Sequence, residues 1–312
     1  MILIISNKND RQADRVELIL RENAAHYSRL NLDPESLKSM QVTFEEDALR
    51  INGPSCSFST DDIDVIWNRT FRNDPFIESN FPNREDYLVL KELWDKALEK
   101  LFSLPESVKW LNFFYDFYSE TQIGRYSFSK NIGFKWPYYI CSNDINYLNE
   151  FFEHKKDRIL VLMNQPCRVK AVSDYFVESG NKLRNAYSGK ENEVECMTDS
   201  SAYEVRCTVV GKEYFVAKIK PNSIKCRGIS ANHNYYPIVY PPKSIKTRTI
   251  QIMNELNLTH GIFDFIVDEN QEWFFDALNP MGKYRWIEDM RSPDISVSIA
   301  KWLMENNLPK NN

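Results

Sequence analysis

Glycine is scarce, at nine in 312 residues where an average chain carries about 7%. A phosphate site built mainly on a glycine-rich loop is therefore not expected, and neither a Walker nor a dinucleotide glycine motif occurs. Long apolar runs are also missing, and none reaches the ~18 residues that a spanning helix requires. Met1–Ser6 is a short apolar run without the basic flank or length of a signal peptide. The chain is thus expected in the cytoplasm, with no membrane partner. Neither sign of charge dominates: 39 basic and 44 acidic residues leave a net charge of −5. No nucleic-acid partner is expected, and any site for a polyanion has to be local.

The six cysteines, at 56, 141, 167, 196, 207 and 226, form no CxxC pair and stand at no ligand spacing to histidine. That excludes a standard structural zinc site and leaves reduced, mostly buried thiols suited to a reducing compartment. The four histidines, at 26, 154, 233 and 260, lack a serine or cysteine partner at informative spacing, so a hydrolytic triad is not expected. No internal repeat or low-complexity segment is found. What is present, 43% hydrophobic and 27% charged residues, describes a folded globular chain. Its length admits two domains, or one with an appendage, at roughly 150 residues each.

Periodicity places a buried strand at Ile2–Ile5, a helix at Ala13–Ala24 and a second strand near Tyr27–Leu32, a βαβ opening. A hairpin is expected from Val42–Phe44 and Leu49–Ile51, and a strand at Val65–Trp67. Leu90, Trp94, Ala97 and Leu101 mark one face of a helix over 84–103, before a strand at Val108–Asn112. Helices are expected at Thr121–Asn131, stopped by Gly133, and at Asp144–Glu153, with a strand at Ile159–Met163. The polar stretch 173–201 reads as a loop. Tyr203–Val210, Gly211 and Lys212–Ile219 read as a hairpin, and Ile245–Leu256 as a helix. Strands at Gly261–Val267 and Trp273–Asn279 precede a closing helix from Asp294 to Met304.

The sharpest chemical signal is Asp264 on one of those last strands with Asn279 closing the other. Pairing across the turn would bring them together as hard oxygen ligands of the kind Mg²⁺ takes between nucleotide phosphates. A third carboxylate would sit two residues before the asparagine, on the same strand face. That position is Ala277, and the adjacent Asp276 is expected to point away. Asp264 and Asn279 could equally serve a turn or a hairpin edge.

The segment Gly261-Ile-Phe-Asp-Phe-Ile-Val with Trp273-Phe-Phe-Asp-Ala-Leu-Asn-Pro-Met-Gly-Lys-Tyr-Arg-Trp-Ile-Glu288 resembles the metal-binding end of ATP-grasp peptide ligases. The nearest groups are the microviridin-type graspetide maturases and the grasp-with-spasm ligases. Met1-Ile-Leu-Ile-Ile-Ser-Asn7 and Val65-Ile-Trp-Asn-Arg69 resemble their N-terminal domain. Trp110-Leu-Asn112 and Lys130–Pro137 resemble the start of the central domain, and Tyr203–Gly211 a strand pair carrying Glu and Arg. The resemblance spans nearly the whole chain. It implies an α/β fold, with a pre-ATP-grasp N-terminal α/β domain at 1–115 followed by a two-lobed ATP-grasp fold, a central lobe at 116–190 and a C-terminal lobe at 191–312.

It also implies ATP and Mg²⁺ as cofactors, and a reaction in which a precursor-peptide carboxylate becomes an acyl phosphate that a Lys, Ser or Thr side chain attacks. Asp264 and Asn279 match metal positions, Glu204 and Arg206 lie by the phosphates, and Arg227 matches a substrate-side arginine. Lys218 is a further cation for the nucleotide. The partner implied is an acidic precursor peptide bearing Lys, Ser or Thr, or a related active ligase, and the family admits a homodimer.

The chain departs from that pattern. Two expected phosphate lysines fall on Gln122 and on Leu162 or Met163, an adenine-edge glutamine falls near Cys196, the acid before Arg227 is replaced by Lys225-Cys226, and the metal-ligand glutamate falls on Ala277. Charge-assisted bonds are worth about 1.5–3 kcal/mol each, so two or three losses imply roughly 10³-fold weaker nucleotide binding. Arg125, Lys130, Lys170, Lys218 and Lys220 could compensate. Two readings stay open: an ATP-grasp ligase, and a pseudoenzyme that keeps only the peptide-binding surface. The strip Lys218, Lys220, Lys225 and Arg227 is either a solvated face or a dock for an acidic peptide. The aromatic clusters at 113–118 and 235–240 are either packing or a peptide groove.

Overall fold

Four successive aliphatic residues open the chain because the strand they form lies inside a parallel sheet and is covered on both faces. The structure, a computed structural model, describes residues 1–69, 83–113, 133–135, 138–142, 159–162, 192–196, 203–220, 234–236, 240–267, 270–291 and 294–307. It is a mixed α/β structure. Strand β1 (Ile2–Ser6), helix α1 (Arg11–Glu22) and β2 (Tyr27–Asn31) make the expected βαβ unit. Asp10 caps α1, accepting from the Gln12 and Ala13 amides at 3.0 and 3.3 Å. The short α2 (Pro34–Lys38) leads to β3 (Gln41–Phe44), β4 (Leu49–Asn52) and β5 (Ser57–Ser59), a small antiparallel sheet. Strand β6 (Val65–Asn68), helix α3 (Arg84–Phe102) and β7 (Lys109–Leu111) complete the first sheet, in the parallel order β2-β1-β6-β7.

A second antiparallel sheet joins β8 (Tyr138–Ser142), β9 (Ile159–Leu162) and β10 (Asn192–Cys196), with β10 in the middle. The loop expected over 173–201 is corrected at this strand. Asn192-Glu-Val-Glu-Cys196 holds one aliphatic residue, and its strand character comes from backbone ladders on both sides. The helices expected at Thr121–Asn131 and Asp144–Glu153 lie outside the described residues.

The third large sheet is antiparallel, in the order β13-β12-β11-β14-β15. It comprises β11 (Tyr203–Val210), β12 (Glu213–Lys220), β13 (Asn234–Tyr236), β14 (His260–Val267) and β15 (Trp273–Asn279). Gly211 turns the β11–β12 hairpin at a φ of 56°, a conformation glycine adopts without penalty. Helix α4 (Lys243–Glu255) precedes β14, while α5 (Arg285–Arg291) and α6 (Ile295–Asn306) follow β15.

Three cores follow from this layering. Leu3 and Ile5 face Trp94, Ala97 and Leu101 of α3, the helical face read from the sequence. Ile2 and Ile4 point the other way, into a cluster holding Val16 and Leu20 of α1, Ile295, Ile299 and Leu303 of α6, and Val210, Ala217 and Ile262 of the five-stranded sheet. That shared cluster joins the first sheet to the last. The opposite face of the five-stranded sheet buries Val205, Cys207, Phe263 and Phe275 against Ile252 and Met253 of α4. Phe134, just after Gly133, stacks on Phe275 with ring centroids 5.1 Å apart. Among the described residues no helix is long and apolar enough to cross a membrane.

At the seam between the sheets, His260 is 2% exposed. Its Nδ1 donates to the Pro280 carbonyl at 2.9 Å, since a carbonyl only accepts. Its Nε2 is buried without a partner among the described residues. Burial lowers its pKa from 6.5 to about 4, more than the Pro280 bond raises it. The unfolded chain therefore takes up a proton near pH 6.5 that the folded chain refuses until about 4. Stability is expected to fall through that window as pH drops, by up to about 3 kcal/mol. Urea titrations at stepped pH check this: His260→Gln should lack that slope, and a variant with the wild-type slope contradicts the assignment.

Candidate functional site

The two faces of β11 have different fates. Val205, Cys207 and Val209 enter the α4 core, while Glu204, Arg206, Thr208 and Val210 line the other face. Along that second face Val210 and Thr208 are buried, Arg206 is half-buried and Glu204 is exposed. The apolar seam between the sheets thus opens into a polar patch at Arg206. Directly across the ladder from Arg206 stands Asp264 on β14.

Arg206 and Asp264 form a two-pronged pair, Nε to Oδ1 at 2.7 Å and Nη2 to Oδ2 at 2.8 Å, the geometry in which guanidinium and carboxylate bind most strongly. The guanidinium carbon also lies 5.2 Å from the Trp286 ring centroid, and Nη1 donates to the Lys283 carbonyl at 3.4 Å. Burial pulls the Arg206 pKa down, but the charges of Asp264, Glu204 and Asp276 outweigh it and hold the group above its ordinary value. Three carboxylates therefore share the field of one cation.

Asp276 belongs to that set although the sequence reading turned it away. Pairing runs regularly from Ile262–Asn279 to Asp264–Ala277, then shifts so that Phe265 meets Phe275. Asp276 is the extra residue of a β-bulge, which re-aims side chains and is common at functional sites. The bulge keeps Ala277 opposite Asp264 and brings the Asp276 charge to bear on Arg206. A strict period of two could not show this. Phe275 and Leu278 both serving the same core is the trace that the alternation slips by one.

Asn279 shares the Asp264 face, one ladder step along. It ends β15, an edge strand, and its Oδ1 accepts from the Met281 amide at 3.0 Å. An amide oxygen has two lone pairs, so one remains for a ligand. Asp264, Asp276 and Asn279 offer hard oxygens, which fit Mg²⁺, and Arg206 shows that the patch accepts a cation. Among the described residues no three His, Cys, Asp or Glu side chains are arranged to hold a metal on their own.

The turn after Asn279 is held from outside. Pro280 O accepts from Asn112 at 3.0 Å and from His260, Met281 O from Arg69 at 3.3 Å, and Gly282 O from Gln12 at 3.5 Å. Lys283 O accepts from Trp286 at 2.9 Å as well as from Arg206. Four successive carbonyls thus have side-chain donors. At Gly282 a Cβ would come within 2.5 Å of the Ile262 side chain, which would have to shift to admit it.

The remaining expected residues are dispersed. Lys218 pairs with Val205 and so lies on the opposite face from Arg206, its Nζ 3.5 Å from the Tyr203 ring centroid. Arg227, Gln122, Met163 and the Lys225-Cys226 pair lie outside the described residues. Sequence reasoning named Arg206, Asp264 and Asn279, but not the roles of Asp276, Gln12 or Trp286.

No family model matches the chain, and no curated protein does. Solved structures do. The macrocyclase MdnC bound with precursor peptide MdnA from Microcystis aeruginosa MRC gives a TM-score of 0.77 at 18% identity, over 98% of this chain and 100% of that one. A RiPP-associated ATP-grasp ligase of Chryseobacterium gregarium, in complex with ADP and a leader and core peptide, gives 0.77 at 20% identity, over 99% and 97%. The ATP-grasp ligase PsnB complexed with minimal precursor, Mg and ADP gives 0.76 at 14%, over 98% and 97%. The chain therefore shares the fold of these ATP-grasp ligases, as the resemblance implied.

Removing Arg206 takes from Asp264 the guanidinium it is paired with. Arg206→Ala is expected to cost about 1–3 kcal/mol in metal-free buffer, and millimolar Mg²⁺ should restore part of it. Thermal melts with and without Mg²⁺ decide; an unchanged melting temperature, or indifference to Mg²⁺, contradicts the charge account.

Proposed function

We propose that this chain is an ATP- and Mg²⁺-dependent ligase that joins Asp or Glu side chains of a ribosomally made precursor peptide to Lys, Ser or Thr side chains. The support is a fold shared with ligases solved with ADP, Mg and precursor peptides and the placing of Arg206, Asp264 and Asn279 on one sheet face, with the charge of Asp276 acting on Arg206. The observation that carries it is the bulge at Asp276, which supplies a carboxylate where Ala277 has none.

In this reading a precursor carboxylate oxygen takes the terminal phosphoryl group of ATP and ADP leaves. The amine or hydroxyl then displaces phosphate from the acyl phosphate and loses its proton, so each crosslink leaves the peptide one water lighter. Asp264, Asp276 and Asn279 would hold Mg²⁺, whose charge would stabilise the phosphoryl oxygens. Arg206, paired with Asp264 in this structure, would donate its fork to the phosphate oxygens. Glu204, on the same face, adds to the field that keeps Arg206 charged. Arg227 is assigned to the peptide side on the resemblance alone.

The missing lysines favour a second reading, a pseudoenzyme that binds a peptide or a related ligase without catalysis. Calorimetry and thermal shift separate the two. Wild type is expected to be stabilised by ADP only when Mg²⁺ is present, and Asp276→Ala should need roughly tenfold more Mg²⁺ or beyond. Neither heat nor shift with millimolar ATP and Mg²⁺ removes the ligase reading. A co-expressed precursor that loses one water per crosslink removes the pseudoenzyme reading.

A further inference from the structure

Strand order in the first sheet reverses between β1 and β6, and open α/β sheets place ligands in the crevice beyond the carboxyl ends of such strands. Here part of the same chain fills that crevice. Asp10 and Gln12, at the start of α1, and Arg69, just past β6, surround the Met281-Gly282 turn. Asn112, just past β7, closes it from the side through Pro280 O. Two of the fragments that resembled the family's early segments, Val65–Arg69 and Trp110–Asn112, end on this turn.

The donors are themselves fixed. Arg69 Nε donates to Asp10 Oδ2 at 3.1 Å, with the two side chains 6% and 8% exposed, and its Nη2 donates to Gln12 Oε1 at 2.9 Å. That bond leaves the Gln12 amide nitrogen facing Gly282 O. Asn112 uses both ends of its amide, Nδ2 reaching His260 O at 2.8 Å and Oδ1 accepting from the Thr259 and His260 amides at 2.8 and 3.0 Å. A buried ion pair is a weak source of stability, and apolar residues of similar volume often do as well. Its orientation function is therefore the informative one. The turn it holds begins at Asn279, the exposed last residue of an edge strand.

We propose that Gln12, Arg69 and Asn112 are positioning residues for Asn279: the first sheet holds the turn so that the Asn279 amide oxygen stands ready beside Asp264 and Asp276 for the metal. The inference rests on the metal-site reading above. Partners behind a metal ligand tune affinity by about 10–100-fold when removed, so a shift of that order is expected here without any change to the oxygen donors.

Two substitutions test it in the full chain. Gln12→Glu keeps the acceptor for Arg69 and removes the donor to Gly282 O; Arg69→Lys keeps the charge beside Asp10 and loses the fork. The measurement is the Mg²⁺ concentration giving half of the ADP-dependent thermal shift, with the metal-free melting temperature as control. The expected result is a midpoint raised about tenfold or more in both variants, with the size of the ADP-dependent shift at saturating Mg²⁺ unchanged. A midpoint equal to wild type in a folded variant overturns the positioning role and leaves the functional reading standing. Loss of the fold in both variants makes the contacts a structural brace and also overturns it. A wild type with no Mg²⁺-dependent shift retires the functional reading and this inference together.

Discussion

A carbonyl shut away from water without a donor costs about 1–3 kcal/mol, and the turn at 280–283 brings four carbonyls in succession to a junction of sheets, that of Gly282 in a buried contact. This chain satisfies them with side chains instead of its own amides, drawing Gln12, Arg69 and Asn112 from the first sheet and Arg206 and Trp286 from the last region. The rest of the arrangement depends on that solution. It ties the carboxyl edge of a parallel sheet to the end of β15, and so fixes how the two large sheets meet at the one strand end that carries Asn279.

The second constraint is charge. Glu204 and Asp264 share one sheet face with Arg206, and the charges of both, with that of Asp276, act on its guanidinium. In this structure Arg206 is paired with Asp264. The same charges make the patch suited to a divalent ion with an anionic ligand, because an arginine released from Asp264 can donate hydrogen bonds to phosphate.

The fold was legible where burial imposes a period. Ile2–Ile5 is apolar at every position because both faces of β1 are covered, and Trp94, Ala97 and Leu101 mark one helix face because α3 has one core to meet. Strand β10 was not legible, since its pairing is backbone to backbone on both sides and Val194 is its lone aliphatic residue. For the site, Asp264 and Asn279 could be read from two strands and a turn. Asp276 could not, because one inserted residue changes which face it serves and alternation has no way to register that. Gln12 and Arg69 were hidden by distance: more than two hundred residues separate them from the carbonyls they meet.

The most direct test is to locate the metal. Crystals of the full chain grown with Mn²⁺ and ADP would give an anomalous peak wherever the divalent ion binds. The account requires that peak to lie among the side-chain oxygens of Asp264, Asp276 and Asn279, with Arg206 turned from Asp264 onto the nucleotide phosphates. A peak elsewhere, or Arg206 still paired with Asp264 beside bound ADP, would contradict it.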